Sequence, residues 1–485
     1  MIRTPYLLAG ALAAGLASAT AVRSSLAPVV LVLGLVVVLR PRLGLACALA
    51  LAGWWWGSER LQALDRSVLA PRIGTAGRAM VDVEEPPRRG RYEVRVRGLV
   101  VRWSGASVRE PVLVLLPGRR APPQGARLRV LGTLRPPGDY ERTWLRRHGV
   151  HVVLRASAWR VVRVRGGLAD RLHAWLGRAS TPGLAGERRA VLQGVVLGED
   201  GGLSDTLRQR FRASGLYHLL AVSGGNVVVV AGGTIGLALL LGVSRLAAEV
   251  AALGAIAAYV LAVGPQPSVI RAGVAGGLAS LAGLSGRQRD RWYALLVAAI
   301  VLFAWNPWNV LDPGFQLSFA AVVSIFLLAP RFRRALDGYP VPRIAADCIA
   351  ISAACGLCTA PISWFHFHAI PVLTVPANAA AAPVVVPMLG LALLAAILPP
   401  LGPALAQANG WCAAYLAGCA RFFGGLPGAQ ATSSAAVAAL ASGLLLAAAY
   451  AWQRGQRAQA GLSPHRQRPA EDHPRRASPA RPSRR

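Results

Sequence analysis

The chain has 485 residues, 54% of them apolar and only 15% charged, yet its formal net charge is +32. An ordinary soluble domain carries roughly 25% charged residues, so a soluble enzyme of this length is disfavoured. All 53 basic residues are arginine, so a G-x-x-x-x-G-K-[ST] phosphate loop has no lysine to complete it. The charge is segregated: residues 57–215 hold 30 Arg and 14 acids, net +16, and residues 453–485 hold 9 Arg and 2 acids, net +7. Apolar sequence surrounds both blocks.

Three apolar stretches open the chain, at 5–22, 25–39 and 43–57. Residues 1–19 could be taken for a cleavable signal, with Arg3 first and Ala17-Ser18-Ala19 last; an uncleaved anchor is the preferred reading. Placing Arg40 and Arg42 in the cytoplasm by the positive-inside rule leaves the N-terminus inside and residues 58–215 outside.

Within residues 58–166, the expected outer domain, the pattern changes to period two from Met80 to Arg165. Tyr92–Arg97, Val112–Leu116, Arg127–Val130, Val150–Leu154 and Val161–Arg165 read as short strands separated by Pro and Gly turns. About five strands suggest a small OB-like barrel, a fold that commonly binds oligonucleotides. Arg95, Arg97, Arg127, Arg129, Arg163 and Arg165 would give it a positive face for a polyanion; the alternative is a solvated face in an arginine-rich chain. Trp103, Tyr140, Trp144 and Trp159 read either as stacking platforms for bases or as core aromatics. Residues 167–215 read as amphipathic linker helices, lying on the bilayer or packed on the domain.

Residues 216–452 hold further spans near 216–242, 246–263, 267–285, 292–306, 312–329, 345–365, 370–398, 403–425 and 434–452. Arg287, Arg289 and Arg291, then Arg331, Arg333, Arg334 and Arg343, fall in inner loops, and Trp54–Trp56, Trp305 and Trp308 fall at outer boundaries. The fold class is therefore a polytopic α-helical membrane protein of about 12 spans with an inserted OB-like domain, set in the plasma membrane with both termini cytoplasmic. Six prolines between 364 and 400 allow broken or re-entrant helices there. Residues 453–485 read as a disordered basic tail. The six cysteines all lie in apolar runs, and the Cys355-x-x-Cys358 pair reads as inert.

Polar residues inside apolar helices are costly and mark paths or partners. His218, Ser223, Gly224 and Asn226 open one span, Arg271 another, Asp312 with Gln316 a third, and Asn378 lies among prolines in a fourth. In this topology all enter from the outer face and would gather into one vestibule for an anionic substrate, Asp312 positioning Arg271. Interfacial snorkelling of Arg271, or an Arg271–Asp312 structural ion pair, is the plainer alternative.

Four passages together carry a specific resemblance. They are Arg135-Pro136-Pro137-Gly138-Asp139-Tyr140-Glu141-Arg142-Thr143-Trp144-Leu145; Gly198-Glu199-Asp200 through Tyr217-His218-Leu219-Leu220-Ala221-Val222-Ser223-Gly224; Pro267-Ser268-Val269-Ile270-Arg271; and Asn306-Pro307 through Leu311-Asp312-Pro313-Gly314-Phe315-Gln316-Leu317-Ser318. A weaker fifth is Val375-Pro376-Ala377-Asn378. The chain resembles the ComEC family of competence proteins, inner-membrane channels through which transforming DNA enters bacteria. Many members read Ser-Gly-Leu-His where this chain has Ser223-Gly224-Gly225-Asn226, which puts any role for that imidazole in doubt here. Many also carry a metallo-β-lactamase-like nuclease domain with an H-x-H-x-D-H zinc motif. His366-Phe367-His368 does not complete that motif.

The resemblance implies a non-enzymatic channel for DNA, without its own nuclease, ATPase, metal or cofactor. DNA and the lipid bilayer are the expected partners, with a separate DNA receptor, nuclease and motor; homo-oligomerisation stays open. The competing readings are a transporter of a smaller anionic solute or lipid, and a membrane-embedded hydrolase using His218 and Ser223.

Overall fold

The computed structural model describes residues 4–21, 41–90, 93–118, 120–164, 166–264, 266–284, 290–439 and 442. The expected span 25–39, most of the span 434–452, Arg165, Arg287, Arg289 and the tail 453–485 lie outside the described residues. Residues up to Gln430 form one compact unit. In the unit that begins at Ala431, the Ala436 N–H donates to the Ser433 hydroxyl at 3.2 Å.

Among the described residues two helices come first, α1 (Thr4–Ser18) and α2 (Pro41–Asp65). They cross closely at Gly15, where a Cβ would lie 1.8 Å from the Ala50 carbonyl oxygen. Small residues at such crossings let helix backbones approach in a membrane. α2 continues past the expected boundary at 57 to Asp65, so the polar block begins later than its composition suggests.

Five long strands follow: β1 (Ala76–Val83), β2 (Glu93–Trp103), β3 (Ala106–Pro117), β4 (Ala126–Arg135) and β5 (Val153–Val164), with a two-residue strand, Arg88–Arg89, paired to the outer side of β2. The five pair in the order β1-β4-β5-β3-β2, and β1 also pairs with β2, so each has two neighbours among the five. Every pairing is antiparallel except β3 with β5, which runs parallel from Leu113–Leu115 against Val153–Arg155. The alternation read from sequence holds. Val81, Val94, Val96, Val114, Leu128 and Val130 are fully buried, each burial contributing about 1.5–3 kcal/mol. The segments 150–154 and 161–165, expected as two strands, meet in one: β5 takes in 153–154 and 161–164 and runs on through Ala156–Trp159 between them. An unforeseen helix, α3 (Asp139–Arg147), joins β4 to β5. Its first turn carries Asp139 and Glu141 and its last Arg146 and Arg147, the charge order that a helix dipole favours.

Three linker helices come next, α4 (Leu168–Ala179), α5 (Gly186–Leu197) and α6 (Asp205–Ala213). α5 does not lie on a surface: Val191, Leu192, Val195 and Val196 are at most 1% exposed within the helical core. A 3₁₀ turn, Leu216–Leu219, precedes α7 (Gly224–Leu240), α8 (Arg245–Val263), α9 (Pro267–Leu284), α10 (Arg291–Trp305), α11 (Pro313–Leu327), α12 (Ala329–Ala335), α13 (Arg343–Phe367), α14 (Thr374–Ile397) and α15 (Gly402–Gly425).

The described residues do not supply twelve spans. Among the described residues five segments are long and apolar enough to cross a membrane: Leu216–Leu240, α8, α9, α13 and α14. α11 and α12, bent by 46° at their junction, make a sixth if joined. α1 and α10, 15 residues each, fall short of the ~20 residues a straight span needs. The prolines of α14 do not break it; the helix runs through Pro383 and Pro387.

Candidate functional site

The polar residues of the apolar half are placed by the loop that follows α5. Glu199 sits 2.8 Å from His173 Nε2, and His173 Nδ1 donates to the Ala262 carbonyl oxygen at 2.7 Å. Both ring nitrogens thus face acceptors, which favours the imidazolium. Burial lowers the His173 pKa, but the hydrogen bond and charge of Glu199, with the Ala262 hydrogen bond and the charge of Asp170, together outweigh it, and the net shift is upward. Asp200 accepts from the Tyr217 hydroxyl at 2.8 Å and pairs with Arg208 at 3.2 Å. The Gly198-Glu199-Asp200 passage therefore ties the linker helices to α8 and to the 216–219 turn.

Gly215 enters that turn at φ +77°, where a Cβ would lie 2.3 Å from the Thr374 hydroxyl oxygen. Both the left-handed backbone and the close approach require glycine. His218 follows, exposed, its Nδ1 donating to the Gly215 carbonyl oxygen at 2.8 Å. Ser223 Oγ donates to Asn226 Oδ1 at 3.1 Å. His218 and Ser223 thus bond to different partners, and the pairing a hydrolase would need is not formed.

Asn226 does not face a vestibule. It is 4% exposed, and its amide donates to the Val195 carbonyl oxygen at 2.8 Å and to the Tyr259 hydroxyl oxygen at 3.1 Å. Tyr259 in turn donates to the Val196 carbonyl oxygen at 2.7 Å. Asn226 is a buried tie between α7, α5 and α8.

Arg271, near the start of α9, does converge on the start of α7. Its Nε donates to Ser318 Oγ of α11 at 2.9 Å. A Cβ on Gly224 would stand 3.5 Å from its Nη2 and 3.8 Å from its Nη1. The guanidinium therefore lies over the first residue of α7, a helix whose Ser223 supplies no side-chain cap. Among the described residues no carboxylate lies within ion-pair distance of Arg271. The Arg271–Asp312 pair expected from sequence is absent: Asp312 caps α11, accepting from the Phe315 N–H at 3.0 Å. Ser318, which sequence reasoning did not single out, takes the orienting role; it lay within the Gln316-Leu317-Ser318 passage.

Gln316 accepts from His366 Nε2 at 2.8 Å and donates to the Val310 carbonyl oxygen at 2.9 Å. Asn378 lies half-buried in the first turns of α14, and none of these contacts reaches it. The structure thus joins Gly224, Arg271 and Ser318, sets Gln316 with His366, and leaves Asn378 apart. A cleft of about 500 Å³ between α6 and the end of α15 is lined by Thr206, Arg210 and Gly424, and by none of the residues named for the path. Among the described residues no group of three or more His, Cys, Asp or Glu could hold a metal ion.

The sheet joins the helices through α3. Asn306 Nδ2 donates to the Arg147 carbonyl oxygen at 2.9 Å, and the Arg147 guanidinium lies 5.4 Å from the Trp308 ring centroid. Of the arginines expected on the positive face, three are already neutralised. Arg95 forms a two-pronged pair with Glu141 at 2.5 and 2.9 Å, and Arg97 pairs with Glu85 at 2.7 Å. Arg127 binds Asp82 at 2.5 and 2.6 Å, a contact that raises its pKa. Arg129 and Arg163 are exposed.

A family model described as "Competence protein" matches residues 195–457. ComE operon protein 3 of Bacillus subtilis (strain 168) is 31% identical over 189 residues, 39% of this chain and 24% of that relative. The match thus spans about a quarter of the relative's length. No solved structure matches the chain at a significant level.

Proposed function

The chain belongs to the competence protein family, and from that premise we propose that it is a non-enzymatic membrane channel for uptake of transforming DNA. The observation that carries the reading is the Arg271 guanidinium, held by Ser318 over the uncapped start of α7 with no carboxylate of the described residues beside it. A helix N-terminus carries partial positive charge, so a second cation there is unfavourable until an anion joins them. A phosphodiester passing along the helices supplies that anion. One cation and one helix end bind weakly enough to release, as conduction requires.

In this reading the sheet domain between the second and later helices stands outside the cytoplasmic membrane and receives DNA. Its ring of pairings, with the third and fifth strands parallel, suits an OB-like barrel. A separate receptor, nuclease and motor complete uptake. In a naturally transformable host, deleting the gene lowers recovery of a marked linear DNA to background, and re-expression restores it. A deletion strain that transforms normally overturns the reading.

A further inference from the structure

The arginines of the sheet fall into two electrostatic classes. Arg95 and Arg97 on β2 are paired with Glu141 and Glu85, and Arg127 at the edge of β4 is paired with Asp82. The rest of the β1–β4–β5 face is different. Arg129 on β4 lies directly opposite Arg160 on β5, and Arg163 lies opposite Arg127. Arg78, Arg129, Arg155, Arg160 and Arg163 are all exposed, and among the described residues none has a carboxylate within ion-pair distance.

Residues directly opposite across an antiparallel pair share a face, and like charges there are destabilising. Arg129 is flanked along β4 by buried Leu128 and Val130, so it points outward, and its row is completed on β1 by Met80. The chain therefore holds an arginine row that its own acids do not neutralise. Two register shifts, at Arg127/Leu128 and Leu131/Gly132, bracket that row. Such bulges re-aim side chains and recur beside functional sites. The parallel pairing of β5 with β3 ends at Arg155, so from Ala156 to Val164 β5 pairs with β4 alone. Its other edge leaves backbone N–H donors of the kind that bind phosphate.

We infer that the β1–β4–β5 face, centred on Arg129 and Arg160, is the surface that takes DNA phosphates, whereas Arg95 and Arg97 hold the domain together. The inference rests on the proposed DNA-uptake reading and adds the face. Charge complementarity selects the occupant: a row of unpaired guanidinium groups, flanked by exposed Arg78, Arg155 and Arg163, matches a chain of evenly repeated phosphates.

The test uses the full chain in neutral-lipid nanodiscs and a labelled mixed-sequence single-stranded oligonucleotide, titrated over a range of salt. The Arg129→Ala/Arg160→Ala variant binds more weakly, and its log–log salt slope is shallower by about 0.7 for each phosphate that is no longer held. Its thermal midpoint does not fall, because a like-charge row has been removed. Arg95→Ala lowers the midpoint and keeps the wild-type slope. A double variant with the wild-type slope assigns the face to another occupant, such as anionic headgroups, and overturns the inference while the uptake reading stands. So does a double variant that loses binding only in step with a falling midpoint. Wild-type protein that binds no oligonucleotide at low salt sinks both.

Discussion

Arg271 and Ser318 are joined by a 2.9 Å hydrogen bond between α9 and α11, so the guanidinium is oriented by a neutral hydroxyl and keeps its full charge for a ligand. Asp312 is occupied six residues earlier as the cap of α11. Four variants separate these roles, in expression-matched transformation assays and by thermal stability. Arg271→Ala reduces uptake to background with normal membrane insertion, and Ser318→Ala gives a smaller loss. Asp312→Asn stays near wild type, because Asn caps as well as Asp, whereas Asp312→Ala costs about 0.5–2 kcal/mol of stability. Normal uptake by Arg271→Ala would remove the anion path through this residue.

Asn226 is a structural residue, not a lining one. Replacing it with Ala strips the Val195 carbonyl oxygen of a buried donor and the half-buried Ser223 hydroxyl of its acceptor, at a cost of about 1–3 kcal/mol. Thermal unfolding in detergent should show the loss, and uptake should fall only in proportion to folded protein. A fully stable Asn226→Ala protein with no uptake would return Asn226 to the path.

The His173–Glu199 interaction predicts a pH dependence. The folded state raises the His173 pKa above its ordinary 6.5, the interactions with Glu199, Ala262 and Asp170 together outweighing burial. The contribution to stability is therefore complete below that ordinary value, and it is lost as pH rises through the raised folded value. The thermal midpoint of the wild type should decline on the alkaline side of 6.5, and His173→Gln should flatten that decline. An unchanged profile in His173→Gln would locate the dependence elsewhere.

Asp82 neutralises Arg127, which stands opposite Arg163 in the row next to Arg129 and Arg160. Asp82→Asn should release that guanidinium, tighten oligonucleotide binding and steepen the salt slope by roughly 0.7 if one more phosphate is engaged. The broken pair should lower stability by no more than about 1 kcal/mol. Weaker binding by Asp82→Asn would count against placing phosphates on this face.

Much of the architecture was legible in the residues themselves. Period-two alternation placed all but the first strand because burial on one face of a sheet dictates it, and the apolar runs located α8, α9, α13 and α14 within a few residues. The helix α3 was missed because Pro136-Pro137-Gly138 reads as a turn and the nine residues after it are too few to show a period. The merger of two expected strands into β5 was invisible because Ala156, Ser157 and Ala158 carry little β signal; pairing with β4 imposes the extended form.

Sequence by itself determined that this chain carries membrane-grade helices around a basic β-rich insert, since hydrophobic periodicity and charge segregation are local properties. Only the tertiary structure decided which polar groups are spent and which are free. Asn226 and Arg271 look equally costly in an apolar helix, yet one is consumed by the Val195 carbonyl oxygen of α5 and the Tyr259 hydroxyl of α8, and the other is left, among the described residues, with a single hydroxyl. Arg97 and Arg129 look alike on alternating strands, yet Glu85 neutralises the first while the second faces Arg160. The reason is physical: a charge is neutralised by whatever the fold brings within a few ångströms, and residues far apart in the chain meet only through the register of the strands.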